Sequence, residues 1–523
     1  MWNLFKHWIL NNPLTVTLAL FTSFNVYGLS FDSQSTRDSR LDNDPKHSLF
    51  SISYDNHFLS KNTSQRSEIF DLDEWVHGLK VDFQSRYYFN FIGVDVSLGS
   101  ATYINNGIAQ GSNTSSGSSG NNNVGIGQNQ QPGTTAGNGD EQTFNYVSAS
   151  YESLTGVLGD KIKTCNATPG VGCDSLPYST SRERVDYLRQ PQLGNSSVNE
   201  VSAITQAYTK MRFGSEQQPF HVRFGLQSLH LETFSTSGSY VLPSSVFGAL
   251  VSTNVSGADV YYGRFNQYHE RGSSQFIKPF TSYSQEQRVK YIDVLGTQYA
   301  FENGLVGQLE MGRAGNQLKK YFAKLYYLVD VVEGISLSLD GRAGLAQGKQ
   351  AYGYYDWLSP LNQFFYVQYE DYKSRYYNVT AALHTQNSKL YFGINKTELA
   401  DWGSGYFYDD QSAFNSTLAL YKNYNHKNEL AWVIGLDYDF SGIKLPGLNL
   451  GIHYARGKRP GEDIVLELDE KNTEQEVGGY IAYTLQSGLL EGLTLGWHFA
   501  RWQGFENNEN SSRFLLTYNL ANF

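Results

Sequence analysis

The chain has 523 residues, a net charge of −10, 17% charged residues and 15% aromatics. Ordinary soluble domains carry about 25% charged residues, disordered chains lack aromatics, and nucleic-acid binding needs a basic face that this balance does not provide. A mean hydropathy of −0.43 excludes a helical membrane protein with many spans, and two cysteines exclude a disulfide scaffold or a multi-cysteine metal site.

In chain order, residues 1–28 have the layout of an export signal. Lys6 and His7 open it, Leu14–Phe24 is the apolar run, and Val26-Tyr27-Gly28 offers a cleavage site. The run is about half of the roughly 20 residues that a helical span requires. Residues 29–523 are therefore expected to form one exported body. Cys165 and Cys173 lie in the loop-like stretch TCNATPGVGC and suit one local disulfide in an oxidising compartment, with two free thiols as the alternative.

Period-two alternation runs through most of the remaining chain. Ile92, Val94, Val96 and Leu98 alternate with Gly93, Asp95, Ser97 and Gly99; Leu493, Leu495, Trp497 and Phe499 alternate with Thr494, Gly496, His498 and Ala500. Alternation alone fits a sandwich as well as a barrel in lipid, but the connections separate the two. Short turns are expected near 86–91, 215–219, 255–257, 302–304, 332–334, 386–388, 442–447 and 488–492. Between them lie long polar stretches at 59–73, 104–205, 230–245, 267–287, 313–318, 347–374, 397–425, 457–474 and 503–511. Eight short turns and nine long loops predict an all-β, antiparallel transmembrane barrel of eighteen strands, with short turns at the periplasmic end and long loops outside. The stretch 104–205 is Gly/Ser/Asn/Gln-rich at its heart and is expected to be a long flexible loop within the barrel. In the last segment Phe514, Leu516, Tyr518 and Leu520 are out of phase with Phe523, so the final three residues are expected to leave the strand.

Several segments resemble the OprD family of substrate-selective outer-membrane porins. They are DEWVHGLKVDFQSRYYFNFIGVDVSLGS (73–100), YTKMRF (208–213), the Leu-Pro loop SYVLPSSVFGALV (239–251), YYGRF (261–265), EVGGYIAYTLQSGLLEGLTL (476–495) and RFLLTYNLANF (513–523). The resemblance implies a monomeric eighteen-stranded barrel in outer-membrane lipid, with loops folded inward to narrow the pore. It also implies a constriction built from Tyr240, Leu242, Pro243 and Phe247.

Alternation places Lys210, Arg212, Arg223, Lys324 and Arg342 on the inner face, with Asp95, Glu310 and Asp340 among the opposing carboxylates. Such charges would orient a dipolar or carboxylated solute by their field, or they would pair across strands and merely solvate the lumen. The family associates a basic ladder with uptake of small carboxylates and basic amino acids. This chain has His453, Gly496 and His498 where the family's late-strand arginines are usual, and Tyr240 in place of the loop arginine. Histidine is mostly neutral at pH 7, so part of the fixed positive potential is missing, and a lining that includes Tyr208, Tyr376 and Tyr391 suits small sugars or other neutral solutes better. No GxSxG, HExxH or P-loop pattern calls for catalysis or a cofactor. The expected function is diffusion of small hydrophilic solutes; an adhesive or structural barrel, and an outer-membrane hydrolase, are the alternatives.

Overall fold

The computed structural model describes residues 48–64, 72–108, 200–215, 218–236, 241–269, 274, 276–277, 289–315, 317–356, 363–402, 414–459, 473–504 and 508–522. The export signal, Tyr240, Cys165 and Cys173 lie outside these residues.

Each strand pairs antiparallel with its sequence neighbours: β1 Leu49–Ser64, β2 Leu72–Gln84, β3 Ile92–Ile108, β4 Glu200–Ser215, β5 Gln218–Gln227, β6 Ser245–Val255 and β7 Ala258–His269. After β8, the two-residue strand Phe276–Ile277, the wall continues with β9 Ile292–Ala300, β10 Leu305–Ala314, β11 Leu318–Val332, β12 Ile335–Asp356, β13 Gln363–Thr385 and β14 Ser388–Glu398. It ends with β15 Leu430–Asp439, β16 Leu448–Lys458, β17 Thr473–Thr484, β18 Thr494–Gln503 and β19 Asn508–Asn522. β1 pairs with both β2 and β19, which closes the barrel and leaves no unpaired edge. β7 pairs directly with β9, so β8 only extends the end of β7 and the wall has eighteen strands.

All eight short turns fall between strands at one end, as alternation of loop length predicts. The long connections are shorter than the sequence reading in several places. β3 runs to Ile108 and β4 begins at Glu200, so strand occupies both ends of the stretch 104–205. Residues 313–318 are a tight connection, with β10 ending at Ala314 and β11 beginning at Leu318. Most of 347–374 is strand: β12 continues to Asp356 and β13 starts at Gln363. A register shift after Gly348, whose φ of 140° a side chain would resist, lets this hairpin bend and continue beyond the wall. Its Tyr- and Phe-rich sequence is of the kind that favours strands.

The C-terminal phase problem has a similar cause. Ala521 and Asn522 do not leave the strand, while Phe523 lies outside the described residues; β19 extends to Asn522, and a register shift opposite Ile52 and Ser53 inserts one extra residue near Leu520. One extra residue exchanges the two faces of a strand, so the apolar phase of 514–520 and that of the terminus differ by the bulge.

On β10, Leu309 and Met311 are exposed on the outside while Gln308 and Glu310 are buried on the inside. The same holds for exposed Leu325, Leu339, Val379, Phe392, Ile434 and Ile481 around the wall. An exposed apolar band of this extent is stable only against lipid. The inverse half is unusual for a pore: many inward polar side chains are buried, because protein fills part of the lumen.

Candidate functional site

Two connections from the loop-bearing end enter the lumen. The first follows β5. Leu229–Thr236 forms a tight bend closed by backbone bonds from Leu231 to Phe234 and from Thr236 to Leu229. Glu310 on β10 receives it: its carboxylate accepts the Glu232 N–H at 3.1 Å and both the N–H and the hydroxyl of Thr233, the latter at 2.6 Å, with the Tyr261 hydroxyl as a further donor. Further along, Val241 and Leu242 are buried against the inner faces of β2 and β3, where they meet Gly78 and Gly99; a Cβ on either glycine would collide with them. The described parts of this connection thus touch walls that are six to seven strand steps apart.

The second connection joins β14 to β15. Trp402 and Phe414 pack edge-on against the ring of Tyr376, at 4.7 and 5.1 Å between centroids. Thr417 accepts from Asn378 and Thr380 at 2.8 Å each, and Ser416 donates to Asn395 at 2.9 Å. The chain then runs along the wall to β17 and β19. Glu476 accepts the N–H groups of Tyr421 and Lys422 at 3.1 and 3.0 Å, and Glu509 holds Tyr421, Lys422 and Lys61 of β1. Asn415 donates to Glu232, tying the two connections together. At its end, burial and the neighbouring Glu474 carboxylate push the Glu429 carboxyl well above the usual carboxylate range. Burial opposes a charge on His426, but hydrogen bonding to Asp401 and the charges of Asp401 and Glu474 outweigh it and raise its pKa.

These anchors decide what each inward charge can do. Lys324 and Arg342 face the lumen from β11 and β12, but both bind Asp340: Arg342 through two bonds of 2.8 Å and Lys324 at 3.6 Å. Arg342 also donates to the Asn415 carbonyl at 3.4 Å, beneath the second connection. Glu310, 3% exposed, is a loop anchor, and so is Glu476, which takes His453 Nε2 at 2.8 Å. His498 stacks on Tyr480 at 5.7 Å. Tyr376 and Tyr391 are buried beneath the second connection and its neighbours.

The wall formed by β3, β4 and β5 differs. Lys210 is 1% exposed, and its Nζ lies 3.0 Å from Asp95 Oδ1 and 5.3 Å from the centre of the Tyr87 ring. Asp95 also accepts the Tyr208 hydroxyl at 2.7 Å and the Ser85 N–H at 3.2 Å. Arg212 lies over the same Tyr87 ring at 4.7 Å and donates to Asn90, and Arg223 lies 5.9 Å from the Tyr208 ring. Both arginines are half-buried and keep part of their surface towards the lumen. The structure therefore brings Asp95, Lys210, Arg212 and Arg223 into one ladder and puts Glu310, Lys324, Asp340 and Arg342 in a second group beneath the loops.

Of the expected constriction residues, Leu242 is buried as described and Pro243 follows it half-buried. Phe247 is not in the loop. It lies in β6, and its phase turns the ring to the outer face, 5.5 Å from exposed Phe224. The alternation Val246, Gly248, Leu250 inward against Phe247, Ala249, Val251 outward explains the correction. The anchors Glu232, Asn415, Glu476 and Glu509 were missed; each lies in or opposite a polar stretch that reads as a solvated loop.

The sequence profile described as outer membrane porin, OprD family, matches residues 195–522. No curated protein matches the chain. Among solved structures, Pseudomonas aeruginosa OpdK with vanillate is similar at a TM-score of 0.61 and 15% identity, covering 91% of this chain and 99% of that one. OccK9 (OpdG) of the same organism is similar at 0.63 and 15%, covering 92% and 100%, and OccK3 (OpdO) at 0.59 and 16%, covering 93% and 99%. At these identities the likeness is one of fold.

Proposed function

Because the chain belongs to the OprD family of outer-membrane porins, we propose that it is a monomeric channel for small hydrophilic solutes, narrowed by its two inserted connections and favouring carboxylates. The observation that carries this reading is the ladder on β4 and β5. Arg212 and Arg223 extend into the lumen over Tyr87 and Tyr208, while Asp95, the carboxylate beside them, is bound by Lys210. A guanidinium presents paired donors to a carboxylate, and a tyrosine ring offers an apolar face to the rest of a small solute. Vanillate, the ligand in the OpdK structure, is a small aromatic carboxylate of this kind.

Selection by such a ladder needs a narrow passage, since a charge acts over about a Debye length in salt water. The connection held by Glu310 at one wall and by Gly78 and Gly99 at another would supply it. Planar-bilayer recording with competing solutes tests the reading. Discrete conductance steps are expected, blocked by vanillate more effectively than by glucose or arginine. Absence of steps, or equal block by all three, would refute it.

A further inference from the structure

At the loop-bearing end the outer surface of the wall carries a run of charged side chains across β7 to β13. Strand pairing sets Arg264 of β7, Asp293 of β9, Arg313 of β10, Lys319 of β11 and Lys373 of β13 in one transverse row, with Gln347 of β12 before the last. The next row towards the short turns, in the same phase, is Tyr262, Leu295, Met311, Tyr321 and Leu345. The charged row therefore lies on the lipid-facing side, directly beyond the apolar band.

The row is built, not incidental. Asp293 accepts Arg264 Nε at 2.7 Å, Arg313 Nη2 at 2.9 Å and the Tyr262 hydroxyl at 2.8 Å, and Arg264 lies 4.3 Å from the Tyr291 ring. One carboxylate thus positions two guanidiniums whose side chains remain 52% and 44% exposed. Arg313 and Lys319 are direct cross-strand partners. Like charges opposite one another repel across a sheet; Asp293 offsets this for Arg313, and an anion placed over the pair would offset it for Lys319 as well. On the outer face of β19, β1, β3 and β4 at the same end, Ser60 pairs with Ser512 and Ser100 with Ser202, and these four positions are uncharged.

We propose that this row docks a phosphate-bearing headgroup of the outer-leaflet lipid. The headgroup region begins where the apolar band ends, guanidiniums bind phosphate through paired donors, and lysines add point charges. Five strand steps from β7 to β13 span roughly 24 Å, which is wider than one phosphate and accommodates a headgroup carrying two.

Native mass spectrometry of the full barrel, titrated with bisphosphorylated lipid A or with the same lipid after dephosphorylation, tests the docking. The wild type is expected to retain the bisphosphorylated form selectively. Arg313→Gln/Lys319→Gln/Lys373→Gln should weaken retention by about fivefold for each cation removed, without altering channel conductance. Should the triple variant not fold, as judged by heat-modifiable migration, Lys319→Gln and Lys373→Gln alone are read against Ser60→Ala. Equal retention of both lipid forms, no retention by the wild type, or wild-type retention by these variants would overturn the proposal.

Discussion

Two walls of the same lumen carry inward charges of the same types, yet their surroundings give them different work. On β3–β5 the cations stand over tyrosine rings, and the Asp95 carboxylate beside them is bound to Lys210. On β10–β12 the charges lie beneath inserted chain: Asp340 binds Arg342 and Lys324, and Glu310 binds loop backbone. Inward direction is set by a period of two, but access to a solute is set by where the loops come down. A pore-lining charge is therefore not defined by its strand phase alone.

Breaking the sealed wall should have the largest effect. Glu310→Ala removes the acceptor of two loop N–H groups and two hydroxyls and leaves them buried. The expected cost is about 3 kcal/mol, with release of the first connection and a rise in single-channel conductance; thermal unfolding and bilayer recording read the two. Crowding the other end of that connection should cost less. Gly99→Val puts side-chain atoms where Leu242 lies, an overpacking of about 1–3 kcal/mol, and should also raise conductance.

The second connection should respond to pH. Glu429 holds its proton more tightly when docked than when free, so its contribution is complete at low pH and is lost as pH rises through the raised value. His426 is also raised, and its attraction to Asp401 and Glu474 is likewise lost on the alkaline side. Both signs agree: docking weakens as pH rises above neutrality. Open-channel noise should increase between about pH 6 and pH 9, and Glu429→Gln should reduce that increase. The smallest structural effect is expected on the ladder, where Arg223→Gln removes a half-buried charge at a cost of about 1 kcal/mol or less.

Much of the barrel was legible in the sequence because its cause is local. The eight turns announce themselves by position between alternating segments, and the eighteen-strand count follows from them. What escaped were single-residue events. The shift near Leu520 and the one after Gly348 each move a strand by one position; the first has no composition signal, and the second is marked only by a single glycine among many. Phe247 was placed by resemblance to a loop, whereas its own alternation with Val246 and Gly248 assigns it to a strand.

The inner face was half legible. Residue types and phase identified Lys210, Arg212, Arg223, Lys324 and Arg342 as inward. Their division into two groups depends on Glu232, Asn415 and Thr417, which meet the walls from far away in the chain. Polar loop segments that plug a lumen and polar segments that face water have the same composition, so only the hydrogen bonds to buried wall carboxylates tell them apart.

The difference between the walls is tested most directly by reversal potential under a salt gradient, comparing Arg223→Gln with Lys324→Gln. The ladder variant should shift the potential towards cations, whereas the sealed variant, which leaves Arg342 on Asp340, should keep the wild-type value. A shift with Lys324→Gln as large as that with Arg223→Gln would contradict the account.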